Sequence, residues 1–230
     1  ILAMLESFLH PLNPDTLFSS DQLPGSLANH ITIHTKQFPD LTGVKVALFG
    51  VNDQRLDGLN IGASQGADAC RREFYRLMKP KTWFNVVDLG NVDAGDTLED
   101  TLFAVQTVLH ELSALDICAV VLGGDEKLAS LQYHALKNRS ASIELVYCGR
   151  QINLREGSWM NKIVLDESSF LFNLTTLAYQ TYLTEQESLD AMERLFFDPV
   201  RLGTLRNRLG LAEPCLRSAH LAVFDCGAIR

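Results

Sequence analysis

The residue types that could do chemistry cluster first at the end of the most apolar segment of the chain. Residues 117–122 are apolar throughout and are followed by two glycines and two acids, Gly123, Gly124, Asp125 and Glu126. Glu126 and Asp225, with Asp125 nearby, could hold a single weakly bound Mg²⁺ or Ca²⁺ together with water. An Asp in a turn is more often a turn or helix-cap residue, and we favour that role for Asp125. The apolar run has the length of a strand buried on both faces, whose carboxyl end is where open α/β sheets bind ligands.

The segments on either side alternate between the patterns of strands and helices. Strands are predicted at residues 44–51, 84–90, 117–122, 143–148, 170–174 and 220–225. Helices are predicted at residues 67–78, 98–112, 126–137, 188–196 and from residue 198. This alternation is typical of βαβ units, which build a mostly parallel sheet with helices on both faces. Residues 1–43 hold four of the seven prolines and predict an irregular arm, whereas residues 44–230 predict a single α/β domain.

Two of the predicted helix starts carry specific signals. Asp96 and Glu99 have the spacing of a capping box ahead of the helix at residues 98–112. Asp198 precedes Pro199, and proline is favoured in the first turn of a helix, so a helix is predicted to begin there.

Composition limits the class of protein. The chain has 230 residues, is 47% hydrophobic and carries a net charge of −8, which fits a globular domain and disfavours a nucleic-acid footprint. Its five cysteines stand singly, as expected for reduced thiols in the cytoplasm. No stretch approaches the ~18 apolar residues of a membrane helix, and no basic-then-apolar leader is visible, so we expect no membrane insertion.

Short segments rich in glycine and aspartate follow several of the predicted strands. They are residues 60–71, residues 88–91 (Asp-Leu-Gly-Asn), residues 122–128, residues 149–155 (Gly-Arg-Gln-Ile-Asn-Leu-Arg) and residues 223–228 (Val-Phe-Asp-Cys-Gly-Ala). In this order they resemble the motifs of the arginase (ureohydrolase) family, and more narrowly its formimidoylglutamase-like branch. The resemblance runs from about residue 44 to the end. It implies a three-layer arginase-like α/β fold with a mostly parallel central sheet.

The resemblance also implies where a metal centre would stand. The family binds two manganese ions, bridged by a hydroxide that attacks a guanidinium or amidine carbon. The positions that match its metal ligands are Glu126, Gly149, Gln151, Asn153, Asp225 and Gly227. Only Glu126 and Asp225 are carboxylates, and one or two carboxylates cannot hold a binuclear centre. We therefore expect no catalytic residue and no cofactor, with Mn²⁺ as the cofactor only if the ligands are misaligned.

The vacated pocket carries a prediction of its own. We expect it to be filled by side-chain hydrogen bonds of Gln151 or Asn153. Asp125, Arg150 and Arg155 are further candidate pocket residues. The arginines either make the pocket anion-binding or pair with the retained acids, so at least one arginine is expected near Glu126 or Asp225.

The remaining histidines, glycines and cysteines that could form sites are better explained by structural roles. His30 and His34 have a spacing that could place both on one helix face and bind zinc, but no third ligand is indicated. The glycines of residues 58–66 lack the spacing of a nucleotide-binding loop. Cys148 and Cys226 stand at strand ends as possible nucleophiles, but neither has a histidine beside it in sequence, and a buried structural thiol is the default.

These observations favour an arginase-family protein that has lost its manganese site and acts by protein association, with a partner protein or as a homo-oligomer, or as a structural element. An active manganese-dependent hydrolase of C–N bonds in linear amidines, of the formimidoylglutamate, agmatine or arginine type, remains open. A small-molecule or anion-binding module using the vacated pocket is the third possibility. The family's domain continues past the motif at residues 223–228, so we expect the fold to be incomplete at the C-terminus, with further chain or a partner covering the last strand.

Overall fold

The computed structural model describes residues 2–18, 23–56, 66–125, 127–137, 142–166 and 170–229. The chain divides into two compact units, residues 1–125 and residues 126–230. Each unit contains one four-stranded sheet in which every pair of neighbouring strands is parallel. In the described residues no helix is long and apolar enough to cross a membrane.

The first unit is built on a sheet with the strand order β1-β3-β2-β4. Its strands are β1 (Thr32–Ile33), β2 (Val46–Asn52), β3 (Val86–Asp93) and β4 (Cys118–Leu122). Its helices are α1 (Leu2–Phe8), α2 (Pro14–Leu17), α3 (Gly66–Arg76) and α4 (Leu98–Ala114). The two central strands are buried along most of their length because each is paired on both sides. Residues 1–43 are thus not irregular throughout, since they supply two helices and the edge strand β1.

Two details of the first unit correct the sequence prediction. Helix α4 is capped by Thr97 and Asp100, each of which bonds the backbone N–H of the other, and not by Asp96 and Glu99. The Thr hydroxyl and the acid three residues later form the usual capping box, one residue beyond the predicted pair. Strand β4 is not buried on both faces, because it is an edge strand, and Val120 is 37% exposed.

The second unit is built on a sheet with the strand order β7-β6-β5-β8. Its strands are β5 (Ile143–Cys148), β6 (Leu171–Tyr179), β7 (Asp198–Arg201) and β8 (Leu221–Phe224). Its helices are α5 (Leu128–Lys137), α6 (Trp159–Val164), α7 (Gln186–Arg194), α8 (Leu202–Asn207) and α9 (Ala212–Ser218). A buried cluster that includes Tyr133, Leu145 and Trp159 forms its core.

The segment that begins with Asp198 and Pro199 is a strand and not a helix start. It pairs in parallel with β6, with Pro199 opposite Thr176, and helix α8 begins only at Leu202. Because β7 lies at the edge of its sheet, proline's missing N–H need not cost a hydrogen bond between strands. Strand β6 has nine residues, whereas the predicted strand had five.

Candidate functional site

Position 149, predicted from the sequence to match an aspartate ligand of the arginase family, lies directly after β5 and has no side chain. A Cβ atom placed on Gly149 would overlap the ring and hydroxyl of Tyr147. The Tyr147 ring is held in place, since it is 3% exposed and meets Trp159 edge-to-face with 5.4 Å between ring centroids. The space that a carboxylate would need at position 149 is therefore filled by an aromatic side chain.

The two polar residues that follow do not point into a buried pocket. Gln151 and Asn153 are both exposed, whereas Ile152 between them is buried and its N–H donates to Thr184 Oγ1 at 3.2 Å. The Asn153 side chain accepts the N–H of Arg155 at 3.2 Å, which is a local turn. The prediction that these side chains fill a vacated cavity is wrong. The buried Ile152 is held by Thr184, and the side chains before and after it face outwards.

The arginines of this segment are also exposed. Arg155 binds both carboxylate oxygens of Glu185, and this hydrogen-bonded pair lowers the pKa of Glu185 and raises the pKa of Arg155. Arg150 is exposed, and its backbone carbonyl accepts the N–H of Gln180 at 2.8 Å. Among the described residues neither arginine pairs with Asp225, so the expected arginine near that carboxylate is absent. Glu126, the other carboxylate of this prediction, lies outside the described residues.

Asp225 serves its own turn. Its Oδ1 accepts the N–H of Gly227 at 2.8 Å, and its backbone N–H donates to the carbonyl of Cys148 at 2.9 Å. A Cβ placed on Gly227 would lie 3.0 Å from the same Oδ1. Burial, and then the charge of Asp225, raise the pKa of the Cys148 thiol, which disfavours the nucleophilic thiolate.

The residues present do not fit a binuclear manganese centre. Of the five matched positions described in the second unit, Asp225 alone carries a carboxylate, and none carries an imidazole. In the described part of the chain, no three His, Cys, Asp or Glu side chains are grouped so that they could hold a metal ion. Asp125 is half-buried in the first unit, where it follows Gly123 and Gly124 with left-handed φ angles of 80° and 75°.

A buried polar cluster in the first unit was not foreseen. Arg71 and Asp88 are fully buried and joined by two hydrogen bonds of 2.8 and 3.0 Å. Arg71 also donates to Asn91 Oδ1 at 2.7 Å and to the Gly90 carbonyl at 2.8 Å, and Tyr75 donates to Asp88 Oδ2 at 2.6 Å. Burial raises the pKa of Tyr75 far above its usual value. The signal in the sequence was an acid inside an apolar strand, with Arg71 and Tyr75 one helical turn apart.

A second polar cluster fixes the loops after β2 and β3. The buried Asp53 accepts hydrogen bonds from Arg55 and from Thr101 Oγ1, the shortest at 2.7 Å. The side-chain hydrogen bond from Arg55 lowers the pKa of Asp53 to about 2. Arg55 also donates to the carbonyls of Gly95 and Asp96. These hydrogen bonds join the residues after β2 to the loop after β3 and to Thr101 on helix α4, so the cluster has a structural role.

The remaining sequence candidates have structural roles or lie outside the description. His34 is buried, with a ring nitrogen 3.0 Å from the Leu89 carbonyl and its ring edge-to-face with Phe38. His30 is exposed in the turn before β1, so the two histidines do not share a helix face. The glycine-rich loop of residues 58–66 falls, apart from its last residue, outside the described residues.

Parallel strands alternating with helices, with loops at the strand ends, give the chain a three-layer α/β fold of the arginase type. Among solved structures it is similar to formiminoglutamases and to an agmatine ureohydrolase. The formimidoylglutamase of Bacillus subtilis matches with a TM-score of 0.71 and 14% identity over 97% of this chain and 76% of that protein. The formiminoglutamase of Trypanosoma cruzi with Mn²⁺ matches with a TM-score of 0.66 and 14% identity, over 78% of this chain and 66% of that protein.

The agmatine ureohydrolase of Thermoplasma volcanium matches with a TM-score of 0.61 and 13% identity, over 91% of this chain and 72% of that protein. The chain thus spans between 66% and 76% of the length of these three proteins. Neither a protein-family model nor a curated protein sequence matches it.

Proposed function

We propose that this chain is a non-catalytic protein with an arginase-like fold, which holds no binuclear manganese centre and acts in the cytoplasm by associating with other proteins. The observation that carries the proposal is the Tyr147 ring packed over Gly149. A missing ligand alone could reflect a shifted alignment. A ligand position whose space is filled by a buried aromatic ring is harder to reconcile with a working metal site, because moving that ring would disrupt the core around Trp159.

The chemistry of the donor set supports the same proposal. Two adjacent metal ions need several anionic or imidazole ligands to offset their charge. The matched positions described in the second unit offer one carboxylate, Asp225, and its oxygen already accepts a hydrogen bond from Gly227. Gln151 and Asn153 are neutral amides facing solvent. With one carboxylate and two neutral amides as donors, we expect these positions to bind cations too weakly to activate a water molecule.

Association is supported by exposed apolar side chains on the strands that end the two sheets. Strand β4 stands at the end of the first sheet beside β2, and strand β8 stands at the end of the second sheet beside β5. Val120 on β4 and Phe224 on β8 are 37% and 60% exposed. Proteins normally cover or blunt such edges, since unpaired N–H and C=O groups next to apolar side chains recruit further strands.

Metal content and turnover test the proposal. The purified chain, incubated with excess Mn²⁺ and desalted, is expected to retain far less than one ion and to hydrolyse none of formimidoylglutamate, agmatine and arginine. Circular dichroism of the same sample controls for folding. Close to two manganese ions per chain together with amidine hydrolysis would establish the alternative, an active amidinohydrolase. Cooperative folding without metal would add support, since metal-dependent domains often lose structure without their ion.

A further inference from the structure

The second unit has an open pocket that is lined by none of the positions matched to metal ligands. It lies where helix α7 turns into strand β7 and has a volume of about 490 Å³. Its lining combines three aromatic rings, two acids, an aliphatic side chain and a proline, namely Tyr179, Phe196, Phe197, Glu193, Asp198, Leu189 and Pro199.

Phe196 occupies a backbone position that ordinarily suits glycine. Helix α7 ends in a Schellman motif, in which the N–H of Phe197 bonds the Met192 carbonyl at 2.9 Å and the N–H of Phe196 bonds the Glu193 carbonyl at 3.1 Å. Phe196 therefore has a left-handed φ of 57°, which is unfavourable for a residue with a Cβ. Its side chain is 90% exposed, so packing within this chain does not explain the aromatic residue there.

The charges of the pocket have one sign. Both charged residues that line it are acids. Glu193 is exposed and forms no ion pair with any described residue, and Asp198 is oriented by a 2.9 Å hydrogen bond from Asn173 Nδ2. Aromatic faces beside carboxylates are the arrangement that binds organic cations, through cation–π contact and charge-assisted hydrogen bonds.

The shape of the neighbouring strand favours a side chain over an added strand as the occupant. Strand β7 is an edge of its sheet, but it has four residues and one is Pro199, which cannot donate to an added strand. Among cationic side chains, the planar guanidinium of arginine can stack on a ring and bind a carboxylate through two donors at once, whereas an ammonium cannot.

We propose that this pocket binds an arginine side chain presented by a partner protein. The guanidinium stacks on Phe196 and is held by Glu193 and Asp198, while its methylene stem packs against Leu189. This proposal rests on the proposed protein association, because it names the chemistry of one partner surface. It does not depend on the absence of manganese, since all the residues involved lie outside the matched ligand positions.

Titration of the full ¹⁵N-labelled chain with short capped peptides tests the pocket. The probes are acetyl-Gly-Arg-Gly-amide, its lysine analogue and its citrulline analogue, which keeps the shape of arginine without its charge. The arginine peptide is expected to shift the amide signals of residues 193–198 saturably, and to bind about tenfold more tightly than the citrulline peptide. Equal affinities for arginine and citrulline, or shifts confined to other residues, would overturn the proposal. Lysine binding as tight as arginine would overturn the assignment of a guanidinium.

Substitutions separate recognition from folding. Phe196→Gly should weaken arginine binding about fivefold and at the same time raise the melting temperature, because glycine suits the left-handed turn. Glu193→Gln should also weaken binding, whereas Phe172→Ala, which removes an exposed aromatic on β6 outside the pocket, should not. Unchanged affinity in Phe196→Gly would refute the site. Bound manganese together with amidine hydrolysis would contradict the proposed non-catalytic function but would not affect the peptide-binding results. Absence of the expected amide shifts would contradict the arginine-binding pocket but not the non-catalytic function.

Discussion

Tyr147 lies near the end of strand β5 and Gly149 directly follows that strand, and positions two apart in an extended chain face the same side. The small residue makes room for the large one, and Trp159 then holds the ring from the side. The ring occupies the space that a side chain at position 149 would need, so the glycine leaves no cavity of that size in the core.

Gly149→Asp is expected to destabilise the protein by about 1–3 kcal/mol, because it inserts a charged side chain where the Tyr147 ring already lies. Urea unfolding followed by fluorescence measures the difference in the free energy of unfolding. Gly203→Ala is the matched control, since a Cβ at that position in helix α8 meets no atom within 4 Å. A Gly149→Asp protein as stable as wild type would show that the ring yields easily and that the ligand position remains available.

Polar clusters fix the loops between the elements of the first unit. Arg71 and Asp88 tie helix α3 to strand β3, and Asp53 ties the end of β2 to helix α4 through Thr101. Both clusters are satisfied by hydrogen bonds within the chain, so they rigidify the strand ends. Removing one partner of a buried ion pair such as Arg71 and Asp88 strongly destabilises a protein, because the other charge is left buried without compensation.

The Asp53 cluster predicts a specific dependence on pH. Its folded-state pKa of about 2 lies below the ordinary value of 3.8, so its stabilisation is fully present above pH 3.8 and is lost as the pH falls towards 2. Asp53→Asn should therefore be less stable than wild type by about 1–2 kcal/mol at neutral pH, a range reduced for the partial exposure of Arg55. Urea midpoints of the two proteins from pH 7 to pH 2 should converge. A constant gap across that range would contradict the assignment.

At the scale of the molecule, the chain combines a net charge of −8 with exposed apolar residues on β4 and β8, the end strands of its two sheets. The negative charge opposes non-specific aggregation, and the proposed association would use these two strands. Association through these edges would bury Val120 and Phe224.

Val120→Lys and Phe224→Lys are each expected to reduce self-association, because a lysine on an edge strand blocks the approach of another strand. Light scattering after size-exclusion chromatography, over a range of concentrations, gives the mass of the assembly. Leu165→Lys introduces the same charge at an exposed apolar position after helix α6 and should leave the mass unchanged. A monomer at all concentrations in the unsubstituted protein would leave binding to another protein as the only form of association.

The amino-acid sequence by itself determined the parallel α/β architecture and most of its elements. Strand β5 was predicted with its observed bounds, and helix α3 to within two residues, because period and turn chemistry are local properties. The match of six positions to metal ligands also came from the sequence, and it stays a prediction.

The tertiary structure alone decided how those positions are used. Pro199 lies in a strand because residues 198–201 pair with strand β6 at the edge of the sheet. This pairing outweighs the local preference of proline for the first turn of a helix. Tyr147 filled the space beside Gly149 because Trp159, distant in sequence, holds its ring. Gln151 and Asn153 turned outwards because Ile152 between them is buried. Pro199 pairs with Thr176 and Ile152 is held by Thr184, and local sequence patterns carry no information about such contacts between residues well separated in the chain.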